Sequence, residues 1–148
     1  MRLFLDTNVL MEFIGHRAEY DNVRKILLTI LHRENRAFVS QGSVYTLAYL
    51  VERLLKENGI HRPELTEKLR RILSAILSLI EPLGISRYDL ITAICNEDFT
   101  DIEDSFQYQC ASVNRCGILI TLNVSDYRGA DLSRQEVLTP AAFIEKYM

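Results

Sequence analysis

Apolar positions along the chain follow two different spacings. Residues 3–5 ("LFL"), 37–40 ("AFVS") and 117–121 ("GILIT") are short, nearly unbroken apolar runs, the pattern of strands buried on both faces. Between the first two, Val23, Ile26, Leu27, Ile30 and Leu31 recur at i, i+3, i+4, i+7 and i+8, one face of a helix. Val44, Leu47, Ala48, Val51, Leu54 and Leu55 keep helical spacing until Gly59 supplies a stop. Pro63 then opens an amphipathic stripe of Leu65, Leu69, Ile72, Leu73, Ile76 and Leu77. "LIEPLGIS" admits a short strand or a turn. Ser86 begins "SRYD", a capping-box-like start with Asp89 in place of Glu, leading into "LITAIC". A further helix is expected from about Glu103 to Asn114, with Phe106, Cys110 and Val113 inward. "EVLT" and "PAAFIEKYM" give a last strand and a terminal helix with Pro140 in its first turn.

Strands separated by helices predict an α/β fold: one three-layer α/β/α domain over residues 1–148, with a central, mainly parallel sheet. A chain of 148 residues buries roughly two-thirds of the surface its unfolded form exposes. No apolar run approaches the ~20 residues that span a bilayer. The segment "MRLFLDTNVL" has one positive charge and an acid inside its apolar run, which argues against a signal peptide. The expected compartment is the cytoplasm, with no membrane partner. Cys95, Cys110 and Cys116 are odd in number and lack CxxC spacing, so buried or half-buried free thiols in a reducing compartment are expected in place of a disulfide framework or a zinc site. The net charge of −3 leaves no general basic footprint for duplex binding. It still permits an enzyme that holds a phosphodiester through metal ions and a local basic patch.

In open α/β sheets, ligands gather beyond the carboxyl ends of the strands. Asp6 directly follows "LFL", and Thr121, Asn123 and Asp126 end or follow "ILIT". Asp104 lies in the first turn of the helix that leads into that strand, and this helix must run antiparallel to it. Its N-terminus therefore falls at the same edge. Taken singly, each acid fits a turn former or helix cap as well as a ligand. Taken together, three carboxylates at one edge repel one another unless a counter-ion relieves them. Mg²⁺ or Mn²⁺, which take oxygen ligands, suit that role and suit phosphodiester hydrolysis.

Four segments resemble the motifs of PIN domains, in order along essentially the whole chain: "LFLDTNVLMEF", "DIEDSFQYQCA", "GILITLNVSDY" and "VLTPAAFIEKY". The third is similar to the family's T-x-N-x-x-D-F pattern. The resemblance implies a metal-dependent endoribonuclease most like the toxins of bacterial VapBC toxin–antitoxin pairs. It implies an RNA substrate, an antitoxin that inserts a segment at the acidic edge, and a homodimer. Asp6, Asp104 and Asp126 match the metal-binding acids. Asn8, Thr121 and Asn123 match the polar residues that orient acids, water or phosphate, and Thr7 supports the same turn. Glu103 matches an acid frequent just before the third-motif Asp, as ligand or as neighbour.

One position departs from the family. An acid commonly stands about six residues after the Ser that ends the second strand, but after Ser40 this chain has Thr46 there. Glu52, the nearest acid downstream, lies nearly two helical turns further on and reads as a solvated residue. A PIN-fold RNA- or protein-binding module with weak or no nuclease activity is therefore the alternative function. A haloacid-type enzyme using Asp6 as nucleophile ranks low, because that class wants a second Asp where Asn8 stands. Arg53, Lys56, His61, Arg62, Lys68, Arg70 and Arg71 could track a backbone, yet Glu52, Glu57, Glu64 and Glu67 interleave with them as on a mixed-charge solvated face. Tyr45 and Tyr49, one turn apart, fit core or interface packing better than base stacking. His16, His32 and His61 lie outside every motif.

Overall fold

The computed structural model describes residues 1–148. Five strands, β1 (Arg2–Leu5), β2 (Arg36–Ser40), β3 (Ile80–Leu83), β4 (Ile118–Ile120) and β5 (Glu136–Leu138), form one sheet in the order β3-β2-β1-β4-β5. Every pairing is parallel. Seven α-helices connect and cover it: α1 (Thr7–Ile14), α2 (Tyr20–Leu31), α3 (Gln41–Glu57), α4 (Glu64–Leu79), α5 (Arg87–Ile94), α6 (Ile102–Val113) and α7 (Pro140–Tyr147). A 3₁₀ turn, Val124–Tyr127, follows β4. The α/β reading with a parallel sheet holds. No helix is long and apolar enough to cross a membrane.

Why the central strands β1, β2 and β4 read as nearly unbroken apolar runs is plain from the two sides of the sheet. Leu3, Leu5, Ala37, Val39, Ile80, Ile118 and Ile120 belong to one buried cluster with residues of α1, α2, α3, α4 and α7. The alternate residues Phe4, Phe38, Leu119 and Val137 join a second cluster with Cys110 and Ala111 of α6 and with Tyr127. Side chains alternate across a strand, so helices on both faces require every position to be apolar. β3, at the sheet edge, carries Pro82, a residue that edge strands tolerate because an outward N–H is not needed.

The expected caps also form. Ser86 accepts from the Asp89 N–H at 3.1 Å while the Asp89 carboxylate accepts from the Ser86 N–H at 3.1 Å, a reciprocal box at the start of α5. Gly59, just past α3, adopts φ +77°, the left-handed turn that a side chain would strain. The expectation for Tyr45 and Tyr49 is half corrected: they are 76% and 63% exposed, so neither packs in the core. Their helix turns its other face, with Leu47, Val51 and Leu55, to the sheet. The cysteines are free, but Cys95 is exposed; burial holds Cys110, with a pKa pushed up to about 12, as an unreactive thiol.

The strand order sets where a site can lie. From β1 the chain builds outward through β2 to β3, then returns to place β4 on the other side of β1 and β5 beyond it. The order reverses between β1 and β4, and such a switch point leaves a crevice at the carboxyl ends of the two strands.

Candidate active site

β1 and β4 pair in register with Leu5 opposite Ile120. The next residue on each strand, Asp6 and Thr121, therefore lie side by side, and the ladder runs on through the Asp6 N–H, which donates to Ile120 O at 3.0 Å. Thr121 Oγ1 donates to Asp6 Oδ2 at 2.7 Å, with both residues buried. The same Oγ1 accepts from the Asn123 N–H at 3.1 Å and, at a long 3.4 Å, from Asn8 Nδ2. Asn8 Oδ1 in turn accepts from the Leu122 N–H at 3.3 Å. The D-T-N turn and the T-L-N turn are thus laced together side chain to backbone.

Asp6 is also the N-cap residue of α1, in extended conformation, but its carboxylate caps no N–H of that helix. The carboxylate is instead held from α6: Gln107 Nε2 donates to Asp6 Oδ1 at 2.9 Å. Gln107 is nearly fully buried, and its Oε1 has no partner; the buried Thr7 Oγ1 beside Asp6 in sequence has none either. Buried polar atoms are normally paired, so an orphan on the very side chain that holds the carboxylate marks this as a place for water or ligand.

Asp104 sits in the first turn of α6, one turn before Gln107. Asp101 caps that helix, accepting from the Glu103 N–H at 2.8 Å and from the Asp104 N–H at 3.4 Å. Tyr127, fully buried against the edge of Phe99, donates a long 3.5 Å hydrogen bond to Asp104 Oδ1. Burial first, and then the charges of Asp6, Asp101, Asp126 and Glu103, push the Asp104 pKa from 3.8 up to about 6. Burial and the charges of Asp6 and Asp101 raise Glu103 as well. No ion pair reaches any of these acids, for the protein's salt bridges all lie elsewhere. The site is a concentration of negative charge without a protein cation.

Asp126 and Asn123 are exposed, Asp126 on the 3₁₀ turn and Asn123 just before it; Glu103 is exposed in the first turn of α6. As the side chains lie, no three Asp, Glu, His or Cys groups are arranged to hold a metal ion. The donor chemistry still suits a hard divalent cation: carboxylate oxygens, orphaned buried polar atoms and unrelieved negative charge. The two buried acids have fixed positions, whereas the exposed pair can reorient.

The remaining candidates lie away from the acids. Glu52 is taken up by Arg62 at 3.1 Å and Lys56 at 3.6 Å. Arg53 pairs with Glu57, and Lys68 with Glu64, as on a mixed-charge face. Thr46 lines an open cavity of about 560 Å³ together with Ser40, Glu103, Phe106 and Gln107. The position where the family commonly has an acid therefore does face toward the site. Gln107 is the residue that sequence reasoning missed. Its one trace is a polar side chain three residues after Asp104, on the helix face that also carries Cys110.

A parallel five-stranded sheet with acids at its switch point defines an α/β protein with a candidate site in that crevice, and the sequence comparison names its family. The PIN-domain family matches residues 2–125, so the chain belongs to the PIN-domain family, a family of nucleases. No curated protein matches significantly. Among solved structures, the chain is similar to one in the crystal structure of VapBC2 from Rickettsia felis bound to a DNA fragment from their promoter. That match has a TM-score of 0.65 and 18% identity, and covers 93% of this chain and 97% of the other. At that identity the likeness is one of fold.

Proposed function

We propose that this protein is a metal-dependent endoribonuclease and the toxin component of a toxin–antitoxin pair. The observation that carries the reading is the buried Asp6–Asp104 set, held by neutral donors and compensated by no protein cation, at the switch point of a PIN-family sheet. Asp6, Asp104 and Asp126 would hold Mg²⁺ or Mn²⁺, with Glu103 as a further ligand or close neighbour. Such an ion, when bound, polarises a phosphoryl oxygen and acidifies water.

The chain's own residues supply position. Thr121 and Gln107 each satisfy one oxygen of Asp6 and so would fix the carboxylate while leaving it lone pairs for the ion. Asn8 ties the two turns, and Asn123, exposed and bonded through its N–H to Thr121, would be free to contact a phosphate. The acidic edge favours an inhibitor that brings a cation, which is the role proposed for an antitoxin segment. Residues 1–148 would act as one domain, as a homodimer, in the cytoplasm.

The test is cleavage of labelled RNA with Mg²⁺, with Mn²⁺ and with chelator, for the wild type, Asp6→Asn and Asp104→Asn. Metal-dependent cleavage lost in both variants supports the reading, and cleavage surviving both refutes the site. A second reading, a PIN-fold binding module with little nuclease activity, is favoured by Thr46 and by the lack of three acids arranged around one point. Tight RNA binding without metal-dependent cleavage on any RNA would select it.

A further inference from the structure

The cavity beside the acids has a chemistry of its own. It lies between the first turn of α3, the end of β3 with Gly84 and Ile85, and the inner faces of α5 and α6. Gln107 joins it to the acid site, since this residue lines the cavity and donates to Asp6 at 2.9 Å. At about 560 Å³ it falls in the range of small-molecule pockets. Leu83, Ile85 and Phe106 supply apolar wall, and no Lys, Arg or His lines it. A phosphate therefore finds no counter-charge there.

We propose that this cavity is a nucleobase subsite, taking one unstacked base of the RNA next to the phosphodiester at the acids; the proposal rests on the ribonuclease reading. A base is flat, uncharged and largely apolar on its faces, and it carries N–H donors on its edge. The cavity offers the complement of each property. Tyr45 lies at its mouth, 76% exposed, a face on which a base can stack. Glu103 brings a carboxylate acceptor, and the hydroxyl of Thr46 a further polar edge. An aliphatic side chain of a protein partner would fill the volume and cover the Glu103 carboxylate without pairing it, which favours the base. Thr46 completes the argument. An acid there would give the cavity a second carboxylate beside Glu103, whereas Thr46 leaves it able to admit a neutral ring. What looks like a missing ligand in the family pattern is, on this reading, part of a substrate pocket.

Two measurements test it. In ¹⁵N spectra, adenosine, guanosine, cytidine and uridine are titrated separately into the wild type and Tyr45→Ala. At least one nucleoside should shift residues 40–46, 83–90 and 103–110, and Tyr45→Ala, at an exposed position, should weaken that binding about tenfold. In cleavage assays, RNA with a single abasic nucleotide next to the cut site should lose about tenfold in kcat/KM against intact RNA. Tyr45→Ala should lose a similar factor on intact RNA and little on abasic RNA, and Thr46→Glu should also weaken nucleoside binding. Nucleosides that shift no cavity residue, or abasic RNA cut as fast as intact RNA, would overturn the subsite while metal-dependent cleavage still stood. Nucleosides that bind the cavity of a protein that cuts no RNA would sink the nuclease reading and with it the base's place beside a cut site, leaving a base-binding pocket alone. Shifts caused by an amphipathic peptide, and by none of the nucleosides, would overturn the subsite in favour of a protein occupant.

Discussion

The floor and the rim of the acidic crevice are built on opposite terms. On the floor, Asp6 and Asp104 are buried, and each takes hydrogen bonds from side chains of other elements: Thr121 and Gln107 for Asp6, Tyr127 for Asp104. On the rim, Asp126, Glu103 and Asn123 are exposed and their side chains donate to or accept from nothing in the fold. The floor is therefore part of the folded core, while the rim costs the fold little. The difference teaches that one carboxylate can be both a structural and a proposed catalytic group, whereas another, on the proposed reading, would serve only what binds. Substitutions can separate the two.

The largest expected effect is at Asp6. Asp6→Asn keeps the shape but removes the charge, and Asn would present an N–H₂ to donors that need an acceptor. Metal-dependent RNA cleavage should fall by at least about 10³-fold, several kcal/mol of transition-state stabilisation. Next comes the residue that holds Asp6. Thr121→Val leaves Asp6 Oδ2 and the Asn123 N–H without their partner, and burying an unpaired polar group costs about 1–3 kcal/mol. Melting by circular dichroism should show a Tm lower by about 3–10 °C. A Thr121→Val protein as stable as the wild type would mean that the floor is not part of the core.

Legibility in the sequence followed the same division. Strands β1, β2 and β4 were legible because two-sided burial leaves their centres apolar, and Asp6 stood out because it follows such a run. Strand β3, with exposed Glu81 and Pro82 at the sheet edge, read equally well as a turn. Asp101 reads as a loop or capping acid, and it caps α6. Helix α1 was not legible: Val9, Leu10 and Met11 are all buried, so "NVLM" looks like apolar sequence continuing from β1, without an exposed stripe to reveal a helical period. Gln107 left no clear signal, since a glutamine inside a helix is ordinary until its distant partner, 101 residues away, is known. Tyr45 and Tyr49 misled because aromatic residues at helical spacing are more often inside than out.

Asp104 gives a pH-dependent way to sharpen the comparison. Its carboxyl binds a proton more tightly in the folded chain than in the unfolded one, with the pKa raised from 3.8 to about 6. The resulting stabilisation is complete below about pH 4 and is lost as the pH rises through about 6. By neutral pH the ionised Asp104 should cost the fold on the order of 2 kcal/mol. Asp104→Asn is neutral at every pH, so relative to the wild type it should gain stability between about pH 4 and pH 7 in urea unfolding. Saturating Mn²⁺ would shrink that gain, because the ion stabilises the ionised wild type and the variant binds it poorly. A gap that does not change with pH would show that Asp104 is not under the strain of its neighbours.

The smallest effect on the fold, and the cleanest break between floor and rim, is expected at Asp126. An exposed side chain without a partner contributes within about ±0.5 kcal/mol, so Asp126→Asn should melt within about 2 °C of the wild type in the absence of metal. Ligand binding to the folded state alone stabilises it in proportion to the logarithm of occupancy, about 2.7 kcal/mol at a hundredfold excess over Kd. If Asp126 turns inward to meet the ion, Mn²⁺ should raise the wild-type Tm by roughly 5–10 °C at pH 7 and the Asp126→Asn Tm by clearly less. Equal rises would leave the ion to the floor acids and remove Asp126 from the proposed ligands. A large loss of stability without metal would instead mean that the rim, like the floor, belongs to the fold.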